Sequence, residues 1–235
     1  MSAAAAASAP TAISRTLPPR LLALTVTTGV IDAASYIGLG HVFTANMTGN
    51  VVLLGFGLAG AGGLPVLAPI ISLGAFMLGA RAGGIFASSA AADRGPRLDP
   101  ALSCEGGLVL IAAVLAAVIE PKVGSLAAYV VIGLLALAMG VRNAVVRKIG
   151  VPDLTTTVLT MTITGLASEP LRGEHRMAHL RRLSAVGAML IGALVGGLLV
   201  ERQLAAPLWL AAAIALGCRA SSTVIRRRHP LENVA

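Results

Sequence analysis

Asp32 is the twelfth residue of the apolar run Leu21–Gly40. If that run crosses a bilayer, its carboxylate stands near the middle, at a cost of about 2.5–3.5 kcal/mol on insertion scales. A group placed there needs a cationic partner, hydrogen-bond donors or a water-filled cavity. It could relay a proton or ion, or simply tie two helices together by hydrogen bonds. Eleven residues on, Phe43-Thr-Ala-Asn-Met-Thr-Gly-Asn50 offers amides at Asn46 and Asn50, a hydroxyl at Thr48 and a backbone-bending Gly49. Such a run is tenable in hydrocarbon only when it is buried in protein or lines a cavity. A second uncharged polar run, Thr155-Thr-Thr-Val-Leu-Thr-Met-Thr-Ile-Thr-Gly165, presents Thr156, Thr160 and Thr162. Two such runs suit a path for a neutral or weakly charged solute. The plainer alternative is that the threonines bond their own helix carbonyls and pack.

Other chemistries find little footing. His175 and His179 stand one helical turn apart, a zinc-compatible spacing. They lie among Arg172, Arg176, Arg181 and Arg182, which repel a cation, and a third ligand is missing. Cys104 and Cys218 have no CxxC partner and read as buried thiols. No nucleophile-base-acid set, phosphate loop or paired acid catalysts appears, so no catalytic residues, metal or cofactor are expected, and no enzyme. The net charge of +8 lacks the basic and aromatic stripe of a nucleic-acid surface. It suits anionic lipid headgroups at a cytoplasmic face instead.

The elements that must position these residues are membrane helices. Hydrophobic residues make up 56% of the chain and charged ones 12%, half the share of an ordinary soluble domain, with a mean hydropathy of +0.86. Eight apolar segments stand out: Leu21–Gly40, Val42–Gly63, Leu64–Ala92, Ala101–Ile119, Ser125–Val141, Leu154–Ala167, Leu183–Val200 and Leu204–Ile225. The stretches Asp93–Pro100, Glu120–Lys122, Arg142–Asp153 and Glu169–Arg182 read as polar punctuation between them. The expected fold is all-α, a polytopic transmembrane bundle over residues 20–226. Residues 1–19 read as a disordered tail and 227–235 as a cytoplasmic one.

Charge chooses among topologies. With the second and sixth segments re-entrant or broken and both termini cytoplasmic, fifteen of the 18 basic residues fall on the cytoplasmic side. Eight full crossings, the alternative, leave ten there. Six crossings fit better.

The halves, 20–119 and 125–226, repeat. Gly74, Gly79, Gly83 and Gly84 fall opposite Gly187, Gly192, Gly196 and Gly197, and Gly29-Val-Ile-Asp-Ala33 falls opposite Gly140-Val-Arg-Asn-Ala144. Between them, Thr44, Thr48 and Asn50 face Thr156, Thr160 and Thr162. The register drifts only from 111 to 113 residues, which points to duplication. The glycine ladders read as helix-packing surfaces. Three crossings per half make the repeat inverted, a transporter arrangement that sets a site near the midplane. Asn143 is then the mate of Asp32, and an Asp32–Arg142 ion pair at the central interface is expected. Glu105 and Glu120 read as interfacial, and Arg81 as snorkelling or paired.

At Gly29-Val-Ile-Asp-Ala-Ala-Ser-Tyr36, at Val42–Val51 with its Asn-Met-Thr-Gly-Asn core, and at Arg142-Asn-Ala followed by Thr155–Gly165, the chain resembles the YoaK-like family of bacterial membrane proteins. The resemblance runs from about Leu21 to Ile225. It departs at Arg142, where Gln is expected, and at Met161, where Gly is usual. It implies a bacterial inner-membrane location and small-solute transport. A membrane scaffold or lipid-interacting partner subunit is the competing function, and oligomeric state is open.

Overall fold

The computed structural model describes residues 12–89, 94–150, 159–169 and 175–228. Over these the chain folds into eight α-helices: α1 (Ala12–Gly38), α2 (Met47–Leu58), α3 (Leu67–Ser89), α4 (Arg94–Ile119), α5 (Leu126–Ile149), α6 (Leu159–Ser168), α7 (His175–Val200) and α8 (Ala205–Arg228). A 3-10 turn at Ala61–Gly63 joins α2 to α3. No strand occurs among the described residues. Helix is forced by the solvent, because a chain in lipid must satisfy its backbone within each segment.

Six helices are long and apolar enough to cross a membrane: Pro18–Gly38, Leu67–Ala87, Leu98–Ile119, Leu126–Ile149, Arg176–Val200 and Ala205–Val224. At 12 and 10 residues, α2 and α6 reach only about 18 and 15 Å, against a hydrocarbon core of about 30 Å. Among the described residues, six helices are of spanning length and two are about half as long, which accords with six crossings.

Several boundaries move. Residues 12–19, read as tail, already belong to α1, with Pro18 and Pro19 inside it. The polar stretch from Arg94 to Pro100 is the first part of α4, and His175–Arg182 opens α7. The largest shift is in α5. It does not stop at Val141 but runs on through Arg142 to Ile149, where Gly150 closes it in the left-handed conformation (φ +63°). Arg142 is not in a loop; it is fully buried in mid-helix. At the other end, the Ser125 side chain caps α5 by accepting the Ala128 N–H at 3.1 Å.

The helices pack in matching pairs. α1 lies along α7 and α3 along α5, the two most extensive contacts; α4 meets both α5 and α8, and α8 meets α1. Backbones touch where glycine permits it. A Cβ at Gly79 or Gly83 would strike the carbonyl of Leu137 or Val141, and one at Gly140 the backbone of Phe76 and Ala80. On the other side, Gly192 and Gly196 meet Val26 and Val30, and Gly29 meets Met189 and Ala193. Each contact of one pair has a counterpart in the other, displaced by 111 residues on one helix and 113 on its mate. Gly74 and Gly187 take no part, with nothing within 4 Å of a Cβ at either. Burial follows the same pairing. α1 and α5 are each 61% buried over their spans, α4 and α8 each 39%, and α3 and α7 22% and 28%. The outer helices turn Met77, Leu78, Ile85 and Phe86 of α3, and Leu190, Ile191, Leu194 and Leu198 of α7, to the outside, as lipid-facing surfaces should.

Sense follows from contacts at the ends. Arg20 near the start of α1 pairs with Asp99 near the start of α4 at 2.9 Å, so the two helices run together. α4 turns back into α5 within residues 120–125, so α1 and α5 run in opposite senses.

Candidate functional site: a clamped segment and the pocket beside it

After α1 the chain turns at Gly40 (φ +98°) and His41 (φ +56°) and comes back along the helix it has just left. Thr44 and Ala45 return to Asp32, six residues below the end of α1 and about 9 Å down its axis. From that depth α2 sets out again. This extended descent carries backbone groups that no helix answers, and buried side chains answer them instead. Asp32 Oδ1 accepts the N–H groups of Thr44 at 3.0 Å and Ala45 at 2.8 Å. Asn50 grips Phe43 twice, with Oδ1 accepting its N–H at 2.9 Å and Nδ2 donating to its carbonyl at 2.7 Å. Ser72 of α3 donates to the same carbonyl at 2.7 Å and accepts from Asn50 Nδ2 at 3.1 Å. Asn46 caps α2, its side chain accepting the Gly49 N–H. Gly49 is required because the Phe43 ring occupies the space its Cβ would fill. Phe43 in turn stacks on Tyr36, with centroids 4.8 Å apart.

Beside the clamp lies an open pocket of about 530 Å³ lined by Tyr36, Phe43, Asn46, Thr48, Gly49, Val52, Leu53, Leu159, Thr160 and Met189. Its walls come from α1, the descent, the first turns of α2 and α6, and α7. Aromatic and aliphatic surface makes up most of it, with the Asn46 amide and the three hydroxyls of Tyr36, Thr48 and Thr160 among the lining groups, the usual make-up of a small-molecule cleft.

The sequence-derived candidates divide accordingly. Asn46, Thr48 and Thr160 meet at the pocket. Asp32 and Asn50 stand behind its wall, as clamps. Thr162 is buried on α6 and Asn143 half-buried on α5, and neither lines the pocket. Thr156 falls outside the described residues.

Arg142 has another partner than the one expected. Its guanidinium pairs with Glu105 of α4 at 2.7 Å, both side chains fully buried. It also donates to the Leu24 carbonyl and to the hydroxyls of Thr27 and Thr28 on α1. Glu105 is thus an interior residue, not an interfacial one, whereas Glu120 is exposed. Glu105 has a fixed bond to the arginine, while Asp32 is turned to the descent, so geometry selects Glu105. Ser72, Thr27, Thr28 and the aromatic pair Tyr36–Phe43 were not singled out in the sequence. A lone serine or glutamate within an apolar helix was the available signal. Arg81 lies on an exposed face. No cluster of three or more His, Cys, Asp or Glu side chains suited to a metal occurs among the described residues.

Residues 20–221 match the family described as "Protein of unknown function (DUF1275)". The chain belongs to this family. It is also 30% identical over 147 residues to the UPF0700 transmembrane protein YoaK of Bacillus subtilis (strain 168). That alignment covers 62% of this chain and 64% of the relative. No solved structure matches the chain. Membership accords with the multi-pass helical architecture.

Proposed function

We propose that this chain is a bacterial inner-membrane transporter or channel for a small neutral or weakly charged solute, with the pocket beside α2 as its binding site. One observation carries the reading: Asn46 and Thr48 from the first half and Thr160 from the second line the same cavity. That cavity lies where two half-length helices begin, the position at which broken helices of secondary transporters hold their cargo. The matched contacts of α1 with α7 and of α3 with α5, together with the opposed senses of α1 and α5, support an inverted repeat. Basic residues support cytoplasmic termini. Arg15 and Arg20 of α1, Arg94 and Arg97 of α4, Arg147 and Lys148 of α5, Arg176, Arg181 and Arg182 of α7 and Arg219 of α8 lie toward one side, where anionic headgroups would meet them. Lys122 and Arg202 lie in the loops of the other side.

The test is uptake into proteoliposomes of a panel of small solutes (glycerol, urea, neutral amino acids and short sugars), with Thr48→Val and Thr160→Val beside the parent. At least one solute should enter faster than into protein-free vesicles, and each variant should slow it about tenfold, since each leaves a polar group of the bound solute unpaired. Equal entry with and without protein across the panel would favour a scaffold or lipid-interacting subunit instead.

A further inference from the structure

The pocket beside α2 has no charge in its walls. None of the lining side chains is ionised at neutral pH, so a charged solute would leave water and find no counter-ion there. Leu53, Leu159, Met189 and the Phe43 ring supply apolar wall. The volume of about 530 Å³ suits an organic molecule of drug size better than a solute of a few atoms. These walls accept an uncharged solute with an apolar part. What they ask of its polar part is decided by one side chain.

The hydroxyls of Tyr36, Thr48 and Thr160 can each donate or accept, and so fit a solute group of either kind. Asn46 has no such freedom. Its Oδ1 accepts the Gly49 N–H at 3.2 Å, as the cap of α2. Turning the amide over would set an NH2 group against that N–H, so the cap fixes the orientation. The remaining Nδ2 can only donate. Asn46 is exposed, and its Nδ2 has no acceptor among the described residues.

Gly49 shows where that donor stands. A Cβ on Gly49 would lie 2.8 and 2.9 Å from two carbons of the Phe43 ring and 3.2 Å from Asn46 Nδ2. The bare donor and the edge of an aromatic ring therefore meet over one glycine, and all three residues line the pocket. A solute oxygen that accepts from Nδ2 is set down beside apolar surface. A carboxylate could accept the same bond, but with no cation in the wall it forfeits more hydration than one amide returns. An ammonium brings only donors to a donor.

We infer that Asn46 is the specificity-determining residue of this pocket, and that its Nδ2 selects uncharged solutes carrying a carbonyl-type oxygen next to an apolar group. The inference rests on the transport reading for the use of the pocket and narrows its cargo to this class.

The experiment measures binding rather than flux, with the full chain in phospholipid nanodiscs and empty discs as the blank. Equilibrium dialysis compares three probes of one shape: phenylpropanamide, phenylpropanoate and phenylpropylammonium. The amide should bind about tenfold more tightly than either ion. Two variants keep the cap, because aspartate and serine both cap helices well. Asn46→Asp exchanges the donor for an anionic oxygen, so the amide should lose about tenfold in affinity and the ammonium gain about as much. Asn46→Ser removes the donor without adding charge, so the amide should lose about tenfold while the ammonium gains nothing. The serine variant carries the test if the aspartate variant does not fold. A side chain that served only as a cap would leave all three affinities as they were. No binding of the amide above empty discs, equal binding of the three probes, or unchanged amide affinity in the variants would each overturn the inference. Binding without uptake of any solute would sink transport and leave Asn46 its role; uptake undiminished in Asn46→Ser would do the reverse.

Discussion

Arg142 is joined by direct hydrogen bonds to Glu105 of α4 and to Leu24, Thr27 and Thr28 of α1. Taking either charge away strands the other, and breaking a buried pair costs about 3–5 kcal/mol. Arg142→Leu and Glu105→Leu should therefore each lower the melting temperature sharply, read as the surviving monodisperse fraction after heating in detergent. The double variant, with no orphaned charge, should melt above either single. Parent-like melting of both singles would show the pair to be indifferent to stability. Arg142 is where the sequence spoke least clearly. A basic residue after an apolar run looks like a helix end, and only the surrounding threonines, glutamate and carbonyl, drawn from distant parts of the chain, make it tenable inside. Asp32 was legible as a buried acid because a lone carboxylate in a span has few explanations. Its partner was not, because the donors that answer it are backbone N–H groups, which leave no trace in residue type.

At the scale of the element, α2 stays in place through side-chain bonds to the descent before it. Asn50→Leu removes both bonds to Phe43 and the bond to Ser72, and should destabilise the fold by about 1–3 kcal/mol, the cost of buried polar groups left unmet. Ser72→Ala should cost less, since Asn50 still holds the Phe43 carbonyl; equal losses would mean that serine is the true anchor. Helix crossings offer a sharper contrast. Gly79→Val and Gly192→Val would push side chains into the backbones of Leu137 and Val26, so both should give aggregated protein by size-exclusion chromatography. Gly74→Ala and Gly187→Ala meet open space and should elute as the parent does. Glycine spacing announced that packing surfaces existed, because small residues in a lipid-soluble helix mark close approach. It could not say which glycines of each ladder were used, since only the facing backbone decides.

Across the whole molecule, the number of apolar segments was readable from hydropathy, and the charge distribution already favoured six spans over eight. Helix ends were less so: polar residues continue a helix as readily as they interrupt it when a neighbour can receive them, as at Arg94–Pro100 and Arg142–Ile149. Orientation can be measured directly. In a Cys104→Ser/Cys218→Ser background, cysteines at Glu120 and Arg202 should react with impermeant maleimide in intact cells, whereas one at Lys148 should react only after lysis. Labelling in the opposite pattern would invert the topology.

The crossing of partners between halves has a consequence for biogenesis. The groove that receives Gly29 belongs to α7, whose last residue is made more than 160 positions later. Until the ribosome has delivered α7, the first helix must wait in the bilayer without the backbone that Gly29 packs against. A chain stopped after residue 119 would then be prey for membrane proteases rather than a stable half, and supplying residues 120–235 as a separate polypeptide should rescue it.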